Sequence, residues 1–227
     1  MFSETTVVLL VLGGYLIGSL SFAVIVSRVM GLDDPRTYGS QNPGATNVLR
    51  SGNKKAAMAT LLFDALKGFF PVLFIKLYGP AFGLDDRAVA LVAISAFIGH
   101  LWPVFFRFKG GKGVATAAGV LFGVEPLLGA AVMLTWLGVA FVTRYSSLAA
   151  LMASVLSPLY YLLGNQVLWQ TSEAELMSVM VMSALLLMRH HENIARLISG
   201  KESKIGAKKD AAAEADSATV SDQTEHH

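Results

Sequence analysis

Apolar runs of about twenty residues recur along this chain, and they restrict its fold more than any other feature. At a rise of about 1.5 Å per helical residue, such a run matches the hydrocarbon thickness of a bilayer. Clear runs occupy 5–29, 57–78, 88–105, 146–164 and 174–189, the last needing little tilt to span. The 227 residues are 54% hydrophobic and only 15% charged, whereas a soluble domain carries about 25% charged residues. An all-α, polytopic membrane protein follows, with room for one membrane domain. There are no cysteines, so disulfides, a thiolate nucleophile and a Cys-based metal site are excluded. Residues 6–27 can span and no basic residue precedes them, so a cleavable signal peptide is not expected.

Residues 114–143 admit two readings: one long kinked helix, or a short helix and a full span divided at Glu125-Pro126. Pro126 cannot continue a helical ladder without local damage. Charge selects the division, because cytoplasmic loops carry excess Lys and Arg. With it, about seven helices cross, the N-terminus lies outside and the C-terminus is cytoplasmic. Of the 18 basic residues, only Lys67, Lys76 and Arg87 then fall within or outside the membrane. Residues 1–206 form the expected membrane domain. The run 207–227 has few large apolar residues and reads as a disordered cytoplasmic tail.

Three polar, glycine-punctuated stretches break the apolar pattern: G-S-Q-N-P-G-A-T-N-V-L-R at 39–50, G-H-L-W-P-V-F-F-R-F-K-G-G-K-G-V-A-T at 99–116, and H-H-E-N-I-A-R-L-I-S-G-K-E-S-K-I-G at 190–206. In the second, Lys109-Gly110-Gly111-Lys112-Gly113 precedes a helix starting near Val114. Glycines let backbone N–H groups converge, and a helix N-terminus adds positive potential. A phosphate or phosphate-ester site is the functional reading; a basic turn serving topology is the plain one. The Walker pattern G-x-x-x-x-G-K-[ST] is absent, since Gly113 is followed by Val114. In the first stretch Ser40, Asn42 and Asn47 suit turns and caps, or hydrogen bonds to a polyol phosphate beside Arg50. In the third, His190 and His191 follow the last span. Asn193 and Arg196 share a helix face three residues apart, ahead of Glu202 and Lys204. Asp64 and Lys67 lie at membrane depth with the same spacing; an ion pathway or a support for the site is the functional reading, and a neutralised pair fixing helix packing is the expectation. His100 is near the cytoplasmic end of its span. The competing function class is a transporter of an organic phosphate, but the outer loops 79–87 and 165–173 offer only Arg87 as a basic residue.

These residues carry a resemblance. The chain resembles the bacterial acyl-phosphate-dependent glycerol-3-phosphate acyltransferases over roughly residues 1–206, through S-Q-N-P-G-A-T-N-V-L-R, G-H-x-W-P-V-F-x-x-F-K-G-G-K-G-V-A-T and H-x-x-N-I-x-R-L-x-x-G-x-E-x-K-I-G in that order. Asp64-x-x-Lys67-Gly68 also matches. The resemblance implies a seven-helix enzyme of the bacterial inner membrane with its site facing the cytoplasm. It implies acyl transfer from acyl phosphate to glycerol 3-phosphate, giving lysophosphatidic acid and phosphate. No metal, cofactor or nucleic acid is implied; membrane lipids and a functional link to the enzyme supplying acyl phosphate are. Lys112, His190, Asn193 and Ser40 are then the expected catalytic residues. Asn42, Asn47, Arg50, Lys109, Gly110, Gly111, Gly113, Thr116, Arg196, Glu202 and Lys204 are expected to bind substrate. The His-x₄-Asp pair of the other glycerol-phosphate acyltransferase class is absent: Phe105, Ala195 and Arg196 stand five residues after His100, His190 and His191.

Overall fold

A computed structural model describes residues 4–206, and the tail expected at 207–227 lies outside the described residues. Among the described residues every regular element is helical. The apolar run at 5–29 does not form one rod. It gives α1 (Glu4–Gly18) and α2 (Phe22–Val29), bent by 44°. The break exposes the Leu20 carbonyl, which accepts a 2.6 Å hydrogen bond from Lys67 Nζ. A buried lysine thus satisfies backbone that lipid cannot.

A short helix α3 (Ala45–Leu49) leads into α4 (Lys54–Tyr78), started by the Asn53 side chain accepting from the Ala56 amide at 3.0 Å. A 3-10 turn, Gly79–Phe82, follows. Asp85 then caps α5 (Asp86–Leu101) by accepting from the Arg87 amide. The division at Glu125 is present: α6 (Val114–Val124) ends there and Pro126 opens α7 (Pro126–Thr143), a position where the missing N–H costs nothing. Helices α8 (Ser146–Leu163), α9 (Glu173–Arg189) and α10 (His191–Ile198) complete the fold.

Among the described residues four helices are long and apolar enough to cross a bilayer, and five if α1 and α2 act as one bent span. Helix α6 has 11 residues, about 16 Å of rise, and cannot cross alone. It is nevertheless central. Close helix contact needs small residues, and a side chain on Gly119 would collide with the Ala65 carbonyl of α4. Gly18 of α1 meets Ala96 of α5 in the same way. The main core joins Val72, Phe97, Leu101, Val120, Leu128 and Tyr161. A smaller one, from Ala23, Val26, Val48, Ala56 and Ala57, ties α2 and α3 to the first turns of α4.

The contact between α6 and α4 sets the depth of the glycine loop. The Thr116 hydroxyl, near the start of α6, donates to the Asp64 carbonyl at 2.9 Å. Asp64 lies ten residues into α4, about 15 Å along the helix. The glycine loop before α6 therefore sits well below the beginning of α4, whose outer surface there carries exposed Met58, Leu61, Leu62 and Phe63. At the other end, Lys76 Nζ and the Tyr161 hydroxyl both bond the Glu175 carboxylate at 2.5 Å.

Candidate active site

The three polar stretches meet at one end of the bundle. Lys112, between α5 and α6, donates through Nζ to Asn193 Oδ1 on α10. Asn193 Nδ2 donates to Glu202 Oε1 at 2.6 Å, and Arg196 Nε donates to Glu202 Oε2 at 2.7 Å. Asn193 is oriented by this chain, its carbonyl facing an ammonium and its amide a carboxylate. The first stretch joins through Arg50 Nη2, which donates to the Ser203 hydroxyl at 2.6 Å. It also joins through the Pro43 carbonyl, which packs against Gly111. Residues 201–206 are strapped to the α7–α8 junction by Ile205 N–H to the Arg144 carbonyl at 2.7 Å. The Lys204 ammonium there lies 5.8 Å from the centre of the Tyr145 ring.

Burial depresses the Lys112 ammonium, and the nearby Arg196 charge adds to this, bringing its pKa to about 8. Lys112 is still a cation at neutral pH, but a thinly hydrated one. His190 is buried, and its pKa falls to about 4 chiefly by burial, against the opposing pull of its backbone bond. Its Nδ1 lies 2.8 Å from the Leu186 carbonyl. A carbonyl only accepts, so Nδ1 carries the proton and Nε2 keeps a free lone pair. Burial would raise the Glu202 carboxyl, but Ser147, Asn193 and Arg196 outweigh it and hold it below the ordinary range.

Some expected binding side chains are spent inside the fold. Asn47 is buried: its Oδ1 accepts from the Ser40 amide, and its Nδ2 donates to the Pro35 and Tyr38 carbonyls. It shapes the 35–47 loop and has no donor left for a ligand. The Thr116 hydroxyl is fully buried against α4. The Gly111 amide is engaged with the His100 carbonyl at 3.2 Å, whereas those of Gly110, Lys112 and Gly113 have no protein acceptor among the described residues. Gly113 has φ +86° and packs against the Phe97 ring, so a side chain there would be both strained and obstructed. Ser40, Arg50 and Lys109 are exposed, and Asn42 is half-buried beside Gly44.

Sequence reasoning missed one support and read another only as a packing pair. Arg189 Nη2 donates to the Gly110 and Gly111 carbonyls, each at 3.2 Å. Beneath the loop, Lys67 pairs with Asp64 at 2.7 Å as its spacing predicts, and His100 Nδ1 lies 3.7 Å from the same carboxylate. The His100 ring in turn touches Gly111, so the pair also underlies the site.

Comparison with known proteins bears on this arrangement. The glycerol-3-phosphate acyltransferase family model matches residues 8–200. A glycerol-3-phosphate acyltransferase of Paraburkholderia phytofirmans is 60% identical over 210 residues, covering 92% of this chain and 95% of its own. One from Cupriavidus metallidurans is 58% identical over 195 residues, covering 86% and 94%. Crystal structures of PlsY, an integral membrane glycerol 3-phosphate acyltransferase, superpose with TM-scores of 0.80 for its glycerol 3-phosphate form and 0.79 for its lysophosphatidic acid form. Each is 38% identical and covers 88% of this chain and 96% of its own. With the motifs brought into contact at one end of the bundle and the match running nearly end to end, the chain belongs to the glycerol-3-phosphate acyltransferase family.

Proposed function

We propose that this protein transfers an acyl group from acyl phosphate to glycerol 3-phosphate, releasing lysophosphatidic acid and inorganic phosphate. The observation that carries this reading is the hydrogen-bonded run Lys112–Asn193–Glu202–Arg196, which unites two motifs around clustered charge. Both substrates are anions and repel each other, so a site that brings them together must supply positive charge.

Lys112 and the free amides of Gly110, Lys112 and Gly113 hold the acyl-phosphate group in this scheme. Arg50, Ser40, Asn42, Asn193 and Arg196 hold glycerol phosphate, with Lys109 and Lys204 at the margin. Glu202 positions Asn193 and Arg196. The His190 Nε2 lone pair accepts from the acceptor hydroxyl and orients it. The hydroxyl oxygen attacks the acyl carbon, the bond from that carbon to the phosphate oxygen breaks, and the bonding pair leaves with phosphate. The hydroxyl proton passes to the departing phosphate, so a group with a pKa of about 4 need only orient and not deprotonate. Positioning and stabilisation of the developing oxyanion supply the catalysis.

The Lys and Arg distribution supports seven membrane-embedded segments, counting α1 with α2 as one and including α6 and α9. The N-terminus is then outside and the site faces the cytoplasm of a bacterial inner membrane. Residues 1–206 form the catalytic domain in this reading. An enzyme supplying acyl phosphate is the natural partner. The test is purified protein with glycerol 3-phosphate and palmitoyl phosphate, beside palmitoyl-CoA and palmitoyl carrier protein. Lysophosphatidic acid and phosphate should appear in equal amounts with palmitoyl phosphate alone. Efficient turnover with either thioester and none with the phosphate would overturn the donor assignment.

A further inference from the structure

Read from sequence, Arg189 is only a basic residue ending a membrane span. In the fold its guanidinium is turned onto the glycine loop, with Nη2 3.2 Å from both the Gly110 and the Gly111 carbonyl oxygens. Its Nε is buried and has no partner among the described residues. A Gly-Gly pair has no side chains to fix its peptide planes, so something outside the loop must do so.

Peptide planarity converts these contacts into a direction. In a trans peptide the C=O and the following N–H point to opposite sides. The Gly110 carbonyl faces Arg189, and the Gly111 amide on the same plane points the other way, to the His100 carbonyl at 3.2 Å. By the same geometry, the Gly111 carbonyl held by Arg189 sends the Lys112 amide away from Arg189, and that amide has no protein acceptor. Were the Gly111–Lys112 plane to flip, a carbonyl oxygen would replace that donor and repel an anion.

We propose that Arg189 is a positioning residue for acyl transfer: by holding the Gly110 and Gly111 carbonyls it fixes the Gly111–Lys112 peptide and keeps the Lys112 amide aimed at the acyl-phosphate group. This rests on the loop's assignment to acyl phosphate above. Arg189 itself need not touch substrate.

The experiment compares full-length native protein with Arg189→Ala and Arg189→Lys, using palmitoyl phosphate and glycerol 3-phosphate, and repeats the assays with millimolar guanidinium. Arg189→Ala should lose about tenfold or more in kcat/KM for palmitoyl phosphate, the scale of charge-assisted hydrogen bonds lost. The KM for glycerol 3-phosphate should rise less than that for palmitoyl phosphate, since Arg189 bonds the glycine loop and none of the glycerol-phosphate ligands. Arg189→Lys keeps the charge but lacks the planar fork, and should recover less than half of the loss. Guanidinium should raise the activity of Arg189→Ala and leave native protein unchanged. Full activity in Arg189→Lys, equal damage to both substrates, or no guanidinium rescue in a variant with native melting behaviour would overturn the proposal. If Arg189→Ala does not fold, the substrate split in Arg189→Lys decides in the same way. Failure of native protein to use palmitoyl phosphate would instead overturn the donor assignment.

Discussion

Burial and then the Arg196 charge bring the Lys112 pKa down only to about 8, so the ammonium is charged at pH 7 and becomes neutral above that value. If its charge holds a substrate phosphate, kcat/KM should be level below pH 8 and fall above it. The kcat limb should lie at higher pH, because a bound anion favours the protonated form. Arg stays protonated throughout, so Lys112→Arg should abolish the alkaline limb, whatever its absolute rate. A pH profile of the two proteins checks this, and an unchanged limb would assign it to another group. Lys112→Ala should cost on the order of a hundredfold in rate, that of a lost positioned charge, while exposed Lys109→Ala costs less. Lys112 and Asn193, which the structure brings into contact, drew attention in the sequence because full charge and polar groups beside glycines have few other uses at a membrane surface. Asn47 and Thr116 were read as ligand contacts, yet their side chains bond loop and helix carbonyls. Composition names a donor but not the acceptor it will find. Arg189 escaped notice because the last residue of a span is ordinarily a topology charge.

Helices were legible where apolar length alone decided them. Runs expected at 57–78 and 146–164 became Lys54–Tyr78 and Ser146–Leu163, and Pro126 marked the α6–α7 division. The α1–α2 bend was not legible, because it depends on a distant lysine reaching the Leu20 carbonyl. Tertiary contact also governs the α4–α6 seam, where Gly119 meets the Ala65 carbonyl. Gly119→Leu should force the seam apart, costing about 1–3 kcal/mol and disturbing the Thr116–Asp64 bond that sets the loop's depth. Thermal unfolding in detergent should show a lowered midpoint together with lost activity. Gly138 on α7 has open space around it, so Gly138→Ala should be neutral or slightly stabilising by reducing chain entropy. Equal effects at both positions would contradict the seam.

The whole molecule gathers a polar, cation-rich cluster at one end of an apolar bundle. The proposed topology, with excess Lys and Arg inside, has that cluster on the cytoplasmic side. The cysteine-free chain allows Ser203→Cys and Gln166→Cys, at opposite ends of the bundle, to be labelled singly in intact cells. Gln166→Cys should react from outside and Ser203→Cys only after permeabilisation; the reverse would invert the topology. Truncation after Gly206 should leave activity intact, because the residues removed have few large apolar side chains; normal insertion without turnover would give them a part in the site. The central claim is direct transfer between two anions held together, with no acyl-enzyme. No cysteine is available, and Ser40 is exposed beside an Asn-Pro-Gly turn, its hydroxyl bonded to no base among the described residues. The most direct measurement incubates the purified protein with acyl-labelled palmitoyl phosphate alone, denatures it and counts label on protein, then repeats this with glycerol 3-phosphate. Direct transfer predicts no protein-bound label in either case, and labelled lysophosphatidic acid only when glycerol 3-phosphate is present. Stable label on Ser40 that glycerol 3-phosphate chases into product would contradict it.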